Sequence, residues 1–113
     1  MTPSTAAEAF ELLRTINAPP RLRRHGELVC EAAEVLIAGL KKLRVPVRTD
    51  FVRVGAILHD AGKTVHPSEL EQPGSEHEPA GEQLLLQHGA TADVARICRT
   101  HAQWREPDVT LDE

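Results

Sequence analysis

The sequence contains no tyrosine, one tryptophan and two phenylalanines, so aromatic residues make up only 3% of the chain. Stacked rings cannot build its core. Alanine and leucine supply the apolar mass instead, and both are good helix formers. The two cysteines, Cys30 and Cys98, are too few for a disulfide framework. Each falls in an apolar helical stretch, where a buried, reduced thiol is expected. Long apolar runs are also missing. The most apolar stretch, Leu28 to Leu40, is broken by Glu31 and Glu34 and cannot span a membrane. The start, Met1-Thr2-Pro3-Ser4, opens no basic segment followed by an apolar run. No signal peptide is therefore expected, and the cytoplasm is the expected location. Positive charge is not in excess: 13 basic and 17 acidic residues give a net charge of -4. That excludes a general nucleic-acid binder, which needs a broad basic field. Basic side chains do cluster at Arg21, Arg23 and Arg24. A solvated helix start is the ordinary reading of that cluster, and a positive rim for an anionic substrate is the sharper one.

What is present is the punctuation of helices. A chain of 113 residues fits one domain that buries a core without staples, so a bound metal would serve function rather than folding. Thr5-Ala6-Ala7-Glu8 is a capping box, in which hydroxyl and carboxylate each satisfy an orphan amide. It opens a short helix with Phe10, Leu13 and Ile16 on one side, ending before Pro19-Pro20. A second helix is expected from about Leu22 to Leu43. Val29, Ala32, Ala33, Leu36, Ile37 and Leu40 recur there at the helical period, with His25 one turn earlier on the same buried face. Lys41, Lys42 and Arg44 suit the negative end of its dipole. Asp50 is expected to cap a third helix, Phe51 to Asp60, whose dense apolar residues suggest burial nearly all round. Gly62 stands where a helix C-cap belongs. A loop from Thr64 to Gly74 follows, with one helical turn after Ser68. Ser75-Glu76-His77-Glu78 is a second capping box, opening a helix that ends at Gly89. Thr91 starts a last helix, Ala92 to about His101, with Val94, Ile97 and Cys98 inward. Trp104 and Pro107 follow it, and Thr110-Leu111-Asp112-Glu113 repeats the capping pattern with nothing after it. That orphan pattern leaves open a further helix beyond the chain. The fold class is all-α, a bundle of about five to six helices.

His59-Asp60 ends the most apolar of these helices. An ionised carboxylate there is expensive to bury without a partner, and a metal ion is one such partner. Adjacent residues on a helix point about 100° apart, so both serve one centre only at a frayed helix end or across two metals. Alone, the pair would be read as capping the helix and bonding to its neighbours. It is not alone: His25, His77 and His101 also stand near helix ends, in three other helices. Histidines on inward faces are what a metal site in a bundle core requires.

The order His25, then Gly55-Ala56-Ile57-Leu58-His59-Asp60-Ala61-Gly62-Lys63, then Ser75-Glu76-His77-Glu78-Pro79-Ala80-Gly81, then Ile97-Cys98-Arg99-Thr100-His101 resembles the HD-domain (His-Asp) phosphohydrolases. The resemblance covers roughly residues 22 to 103 and implies one HD-type helical domain over 1–113. The histidine pattern is similar to that of the binuclear members. By that likeness His25, His59, Asp60, His77 and His101 hold one or two divalent ions, of Fe, Mn, Co, Ni or Zn, with Asp60 bridging. The likeness also implies Asp60 and Lys63 as catalytic residues, Lys63 lying near the substrate phosphate. Arg21, Arg24 or Arg105 are candidates for the rest of an anionic substrate. The family usually supplies one more Asp from a later helix. Here Asp108 or Asp112 substitutes, or the residue lies beyond the chain. The activity implied is hydrolysis of a nucleotide or other small phosphate ester by metal-activated water. A di-iron oxygenase and a non-catalytic domain with a degenerate site are the alternatives, and a homodimer is left open. His66 and His88 are expected to be bystanders. Glu78 and Glu82 are expected at the cap and surface, with Glu78 able to orient a ligand histidine.

Overall fold

The computed structural model describes residues 2–102 and 110–113. Among them every regular element is helical: α1 (Ala6–Thr15), α2 (Pro20–Lys42), α3 (Thr49–Leu58), α4 (His77–Gln87) and α5 (Ala92–Thr100). Two 3-10 turns, Ala61–Thr64 and Pro67–Leu70, link α3 to α4. The expected loop thus carries its helical turn slightly earlier than Ser68. Trp104, Arg105, Pro107 and Asp108 lie outside the described residues.

The start of α1 follows the capping expectation: the Thr5 hydroxyl accepts from the Glu8 amide at 3.2 Å. The Glu8 carboxylate returns the bond to the amide and hydroxyl of Ser4, one residue earlier than a strict box would place it. Asp50 is not a cap. The third helix begins at Thr49, and Asp50 lies in its first turn, ion-paired with Arg53 at 3.3 Å. There it still complements the positive helix end. Ser75 is not a cap either: α4 starts at His77, and its N-cap residue is Glu76, whose side chain makes no bond to the helix start.

α3 is the central element. It packs against α1, α2 and α5, and α4 packs on α5 and on the turn Ala61–Thr64. From Phe51 to Asp60 every residue of this segment is buried or half-buried, as its density of apolar residues predicts. Leu13, Val54, Leu58, Leu85 and Cys98 are fully enclosed. Each such large aliphatic side chain contributes about 1.5–3 kcal/mol by leaving water.

The apolar face of α2 is only partly used. Leu22, Gly26, Ala33 and Ile37 are buried, whereas Ala32 and Leu36 are exposed and Cys30 is half-buried. The cause is the face and not the height along the helix. Ala32 and Leu36 stand beside the buried Ala33 and Ile37 but turned about 100° from them, on a side of α2 that no described element covers. No described helix is long and apolar enough to cross a membrane.

Candidate metal centre

The segment that carries His59 and Asp60 breaks as it leaves α3. His59 keeps helical angles, but Asp60 turns to φ -104°, ψ 15° and opens the next 3-10 turn. This break lets two adjacent side chains reach one point. Gly62 has no αL conformation and is not a C-cap. It is a close-approach residue: a Cβ there would stand 1.9 Å from the His77 carbonyl oxygen and 2.6 Å from the Gly81 amide. The turn and the first turn of α4 thus touch backbone to backbone, which sets His77 beside Asp60. Gly26 does the same between α2 and α3, where a Cβ would lie 3.2 Å from the Ile57 carbonyl oxygen.

Four imidazoles from four helices converge on the Asp60 carboxylate, which is only 6% exposed. Its Oδ2 lies 3.2 Å from His25 Nε2, 3.3 Å from His59 Nε2 and 3.3 Å from Lys63 Nζ. Its Oδ1 lies 3.3 Å from His77 Nε2 and 3.4 Å from His101 Nε2. The donors form two sets that share Asp60, one with His25 and His59 and one with His77 and His101. Such spacings suit donors on a common cation. Two ligand atoms, each about 2.1 Å from a metal, are separated by roughly 3.0–3.4 Å at right-angled to tetrahedral geometry.

The far side of three rings fixes their protons. His59 Nδ1 is 2.7 Å from the Ala56 carbonyl oxygen, and His101 Nδ1 is 3.1 Å from that of Ile97. His77 Nδ1 is 2.6 Å from Glu69 Oε1. Carbonyl and carboxylate oxygens only accept, so each Nδ1 donates. In a neutral ring Nε2 then presents its lone pair to an Asp60 oxygen. Lone pair against lone pair is repulsive unless a cation lies between.

Charge follows from the same geometry. Burial pushes the Asp60 carboxyl upward, but the His101 and His59 rings, which donate to it from Nε2 only when protonated, and the charge of Lys63 outweigh that, holding Asp60 far below the usual carboxylate range when no cation is bound. Burial lowers His25, helped by the neighbouring His59. Burial also acts to lower His101, yet the Asp60 carboxylate, the Ile97 carbonyl and the charge of Glu78 together raise it. The Cys98 thiol is pushed up to about 12 by burial and by Asp60, so it stays protonated and donates to the Leu58 carbonyl at 3.3 Å.

His25 departs from the buried register read for it. Its side chain is 45% exposed and forms the open rim of the cluster, because Leu22 and Gly26 take the core-facing positions of that turn. Glu69 was not legible as a site residue. Its carboxylate accepts from the amides of Glu76 at 3.2 Å and His77 at 3.1 Å as well as from the His77 ring. A charge reaching over from the turn Pro67–Leu70 therefore replaces the Ser75 cap. Gly74 gives it room, since a Cβ there would stand 2.7 Å from the Glu69 carboxyl carbon. Glu78 is buried near His101, while Glu82 pairs with Arg99 at 3.3 Å. His66 lies 3.6 Å from Glu76, and His88 caps the end of α4.

Two cavities border the cluster. One, of about 250 Å³, is lined by Arg21, Leu22, His25, Asp60, Lys63 and Leu70. Arg24 is not in it; that guanidinium binds Glu27 at 2.7 Å and faces the groove between α1 and α2. The other cavity, of about 290 Å³, has mainly apolar walls beside His59 and His101. Asp112 lines it but belongs to neither donor set. It accepts from the Arg48 amide at 3.1 Å, and Thr110 to Glu113 form a turn.

The family profile of the HD domain matches residues 25–111. The chain belongs to the HD-domain family. No curated protein and no solved structure matches it. The match starts on His25 and takes in the other members of the cluster. An HD domain is all-helical and typical of metal-dependent phosphohydrolases, and the His/Asp cluster suits a divalent metal.

Proposed function

We propose that this HD-domain protein hydrolyses a small phosphate ester, a nucleotide being the substrate class favoured. The observation that carries the reading is the set of fixed Nδ1 protons. It leaves Nε2 lone pairs aimed at an ionised, buried carboxylate, an arrangement that a divalent cation relieves. His25, His59 and Asp60 would hold one ion, and Asp60, His77 and His101 a second. When bound, such an ion lends Lewis acidity that makes water nucleophilic near neutral pH.

The chain's own groups supply the rest. Asp60 is held ionised, so it can serve both donor sets at once. Lys63 lies against it at the wall of the basic cavity, where its ammonium neutralises phosphoryl oxygens as a point charge. Arg21, exposed at the same mouth, takes the role first shared with Arg24. The half-exposed His25 leaves the cluster open on that side. Fe, Mn, Co, Ni and Zn all suit a mixed imidazole and carboxylate set.

The test is metal content after purification without chelator, followed by a screen of phosphate esters. Expected are at least one ion per chain, turnover that chelator removes, and loss of both in Asp60→Asn with the helical far-UV spectrum retained. Less than one ion per chain would point to a degenerate site. Dioxygen consumption with iron bound and no ester turnover would replace hydrolysis by oxygenase chemistry.

A further inference from the structure

The exposed side of α2 is a second feature, an apolar stripe that begins one turn after His25 and runs away from the metal cluster. Leu28, Val35, Leu36 and Leu43 are 48%, 73%, 67% and 75% exposed. Ala32 is also exposed, and a Cβ on Gly39 would meet nothing within 4 Å. On a helix these six positions fall within an arc of about 100°, the width of a packed stripe. They do not scatter, and a continuous apolar stripe on a surface marks an interaction site.

We propose that this stripe pairs with the same stripe of a second copy, the two α2 helices running antiparallel. The spacing of the stripe is symmetric about the point between Val35 and Leu36. Set antiparallel there, Leu28 faces Leu43 of the second copy, Ala32 faces its Gly39 and Val35 faces its Leu36. Large meets large at the ends and at the centre, and small meets small in between, so the same patch on both copies is self-complementary, as an isologous two-fold contact requires.

Charge selects the same direction. Glu27 and Glu31 run along one edge of the stripe near its start, and Lys42 lies on that edge near its end. Glu27 is held by Arg24. Neither Glu31 nor Lys42 is in an ion pair among the described residues. Antiparallel helices bring Glu31 beside Lys42 of the second copy, twice by symmetry. Parallel helices would set the edge carrying Glu31 and Lys42 against the opposite edge of the second copy, so the two charges could not meet.

The contact is modest. From Leu28 to Leu43 the helix is about 22 Å long, so the pair buries on the order of 1,000 Å², the lower edge of specific interfaces. Dimerisation is therefore concentration-dependent, with a dissociation constant of micromolar order.

Sedimentation equilibrium from about 1 to 500 μM tests this. The full chain is expected to pass from monomer to dimer across that range. Leu36→Glu is expected to stay monomeric throughout with an unchanged helical spectrum, its side chain lying on the surface. Glu31→Lys and Lys42→Glu should each weaken the dimer several-fold, and the double variant should restore it. A chain that stays monomeric at 500 μM overturns the proposal, as does a dimer indifferent to Leu36→Glu. Failure of the double variant to recover overturns the antiparallel pairing.

Discussion

Replacing Gly62 by alanine is the sharpest test of how the cluster is assembled. The added Cβ would sit 1.9 Å from the His77 carbonyl oxygen, whereas real Cβ contacts stay above 3.0 Å. The obstacle is backbone, so no side chain can swing away. The turn Ala61–Thr64 and the start of α4 must separate by the difference, about 1.1 Å, or tilt to the same effect. Metal-ligand distances tolerate about 0.2 Å. A displacement several times larger takes His77 out of the donor set that it shares with Asp60 and His101. Overpacking of this kind costs about 1–3 kcal/mol. For a domain of this size each kcal/mol lowers Tm by about 4–8 °C. Gly62→Ala is therefore expected to melt several degrees early and to bind metal at least tenfold more weakly, by calorimetric titration. Gly39→Ala is the control. Its Cβ meets nothing, so it should bind metal normally and be stabler by up to about 1 kcal/mol. If Gly62→Ala matches the parent in both assays, the close backbone approach does not set the site.

Glu69→Gln retains the shape of the side chain but removes the charge that orients His77. Metal affinity should fall at least tenfold with helix content unchanged, and an unaffected Glu69→Ala would dismiss the role. Lys63→Ala should keep the metal but lose at least tenfold in ester turnover; unchanged turnover would remove Lys63 from the chemistry. Metal affinity should rise with pH, because the raised His101 must shed its proton before its Nε2 can bind. The metal-free fold should do the opposite. The His101 contribution is complete below the ordinary histidine pKa and lost as pH climbs through its raised one. Melting curves with and without metal at pH 6 and pH 8 would diverge more at pH 8, and equal gaps at the two values would refute the linkage.

Local rules made the helices legible. The Thr5 cap, the proline stops and the spacing in α3 depend on residues within a few positions of one another. His59, Asp60, His77 and His101 were found because helix ends are visible in sequence and they stand there. What escaped depended on distance through space. Glu69 reaches His77 from a separate turn, and nothing in a polar, proline-rich loop distinguishes it from its neighbours. Gly62 read as a cap because close approach leaves the same letter as an αL turn. Arg21 and Arg24 stand on neighbouring faces of one turn, and only the placement of the turn Pro67–Leu70 decides which lines the basic cavity. The apolar period of α2 ran true, but its apolar residues cover more than one face, and period does not reveal which face the neighbours pack on.

The Cys98 thiol, held to about 12 and bonded to the carbonyl just before His59, has a practical corollary. Electrophiles and mild oxidants act on thiolate, of which this sulfur has almost none at physiological pH. Burial raises Cys30 as well, but that sulfur is half-buried where Cys98 is fully enclosed, so a maleimide dye on the native protein should mark Cys30 and leave Cys98 untouched. A chromophore could thus be hung on α2 without disturbing the histidines.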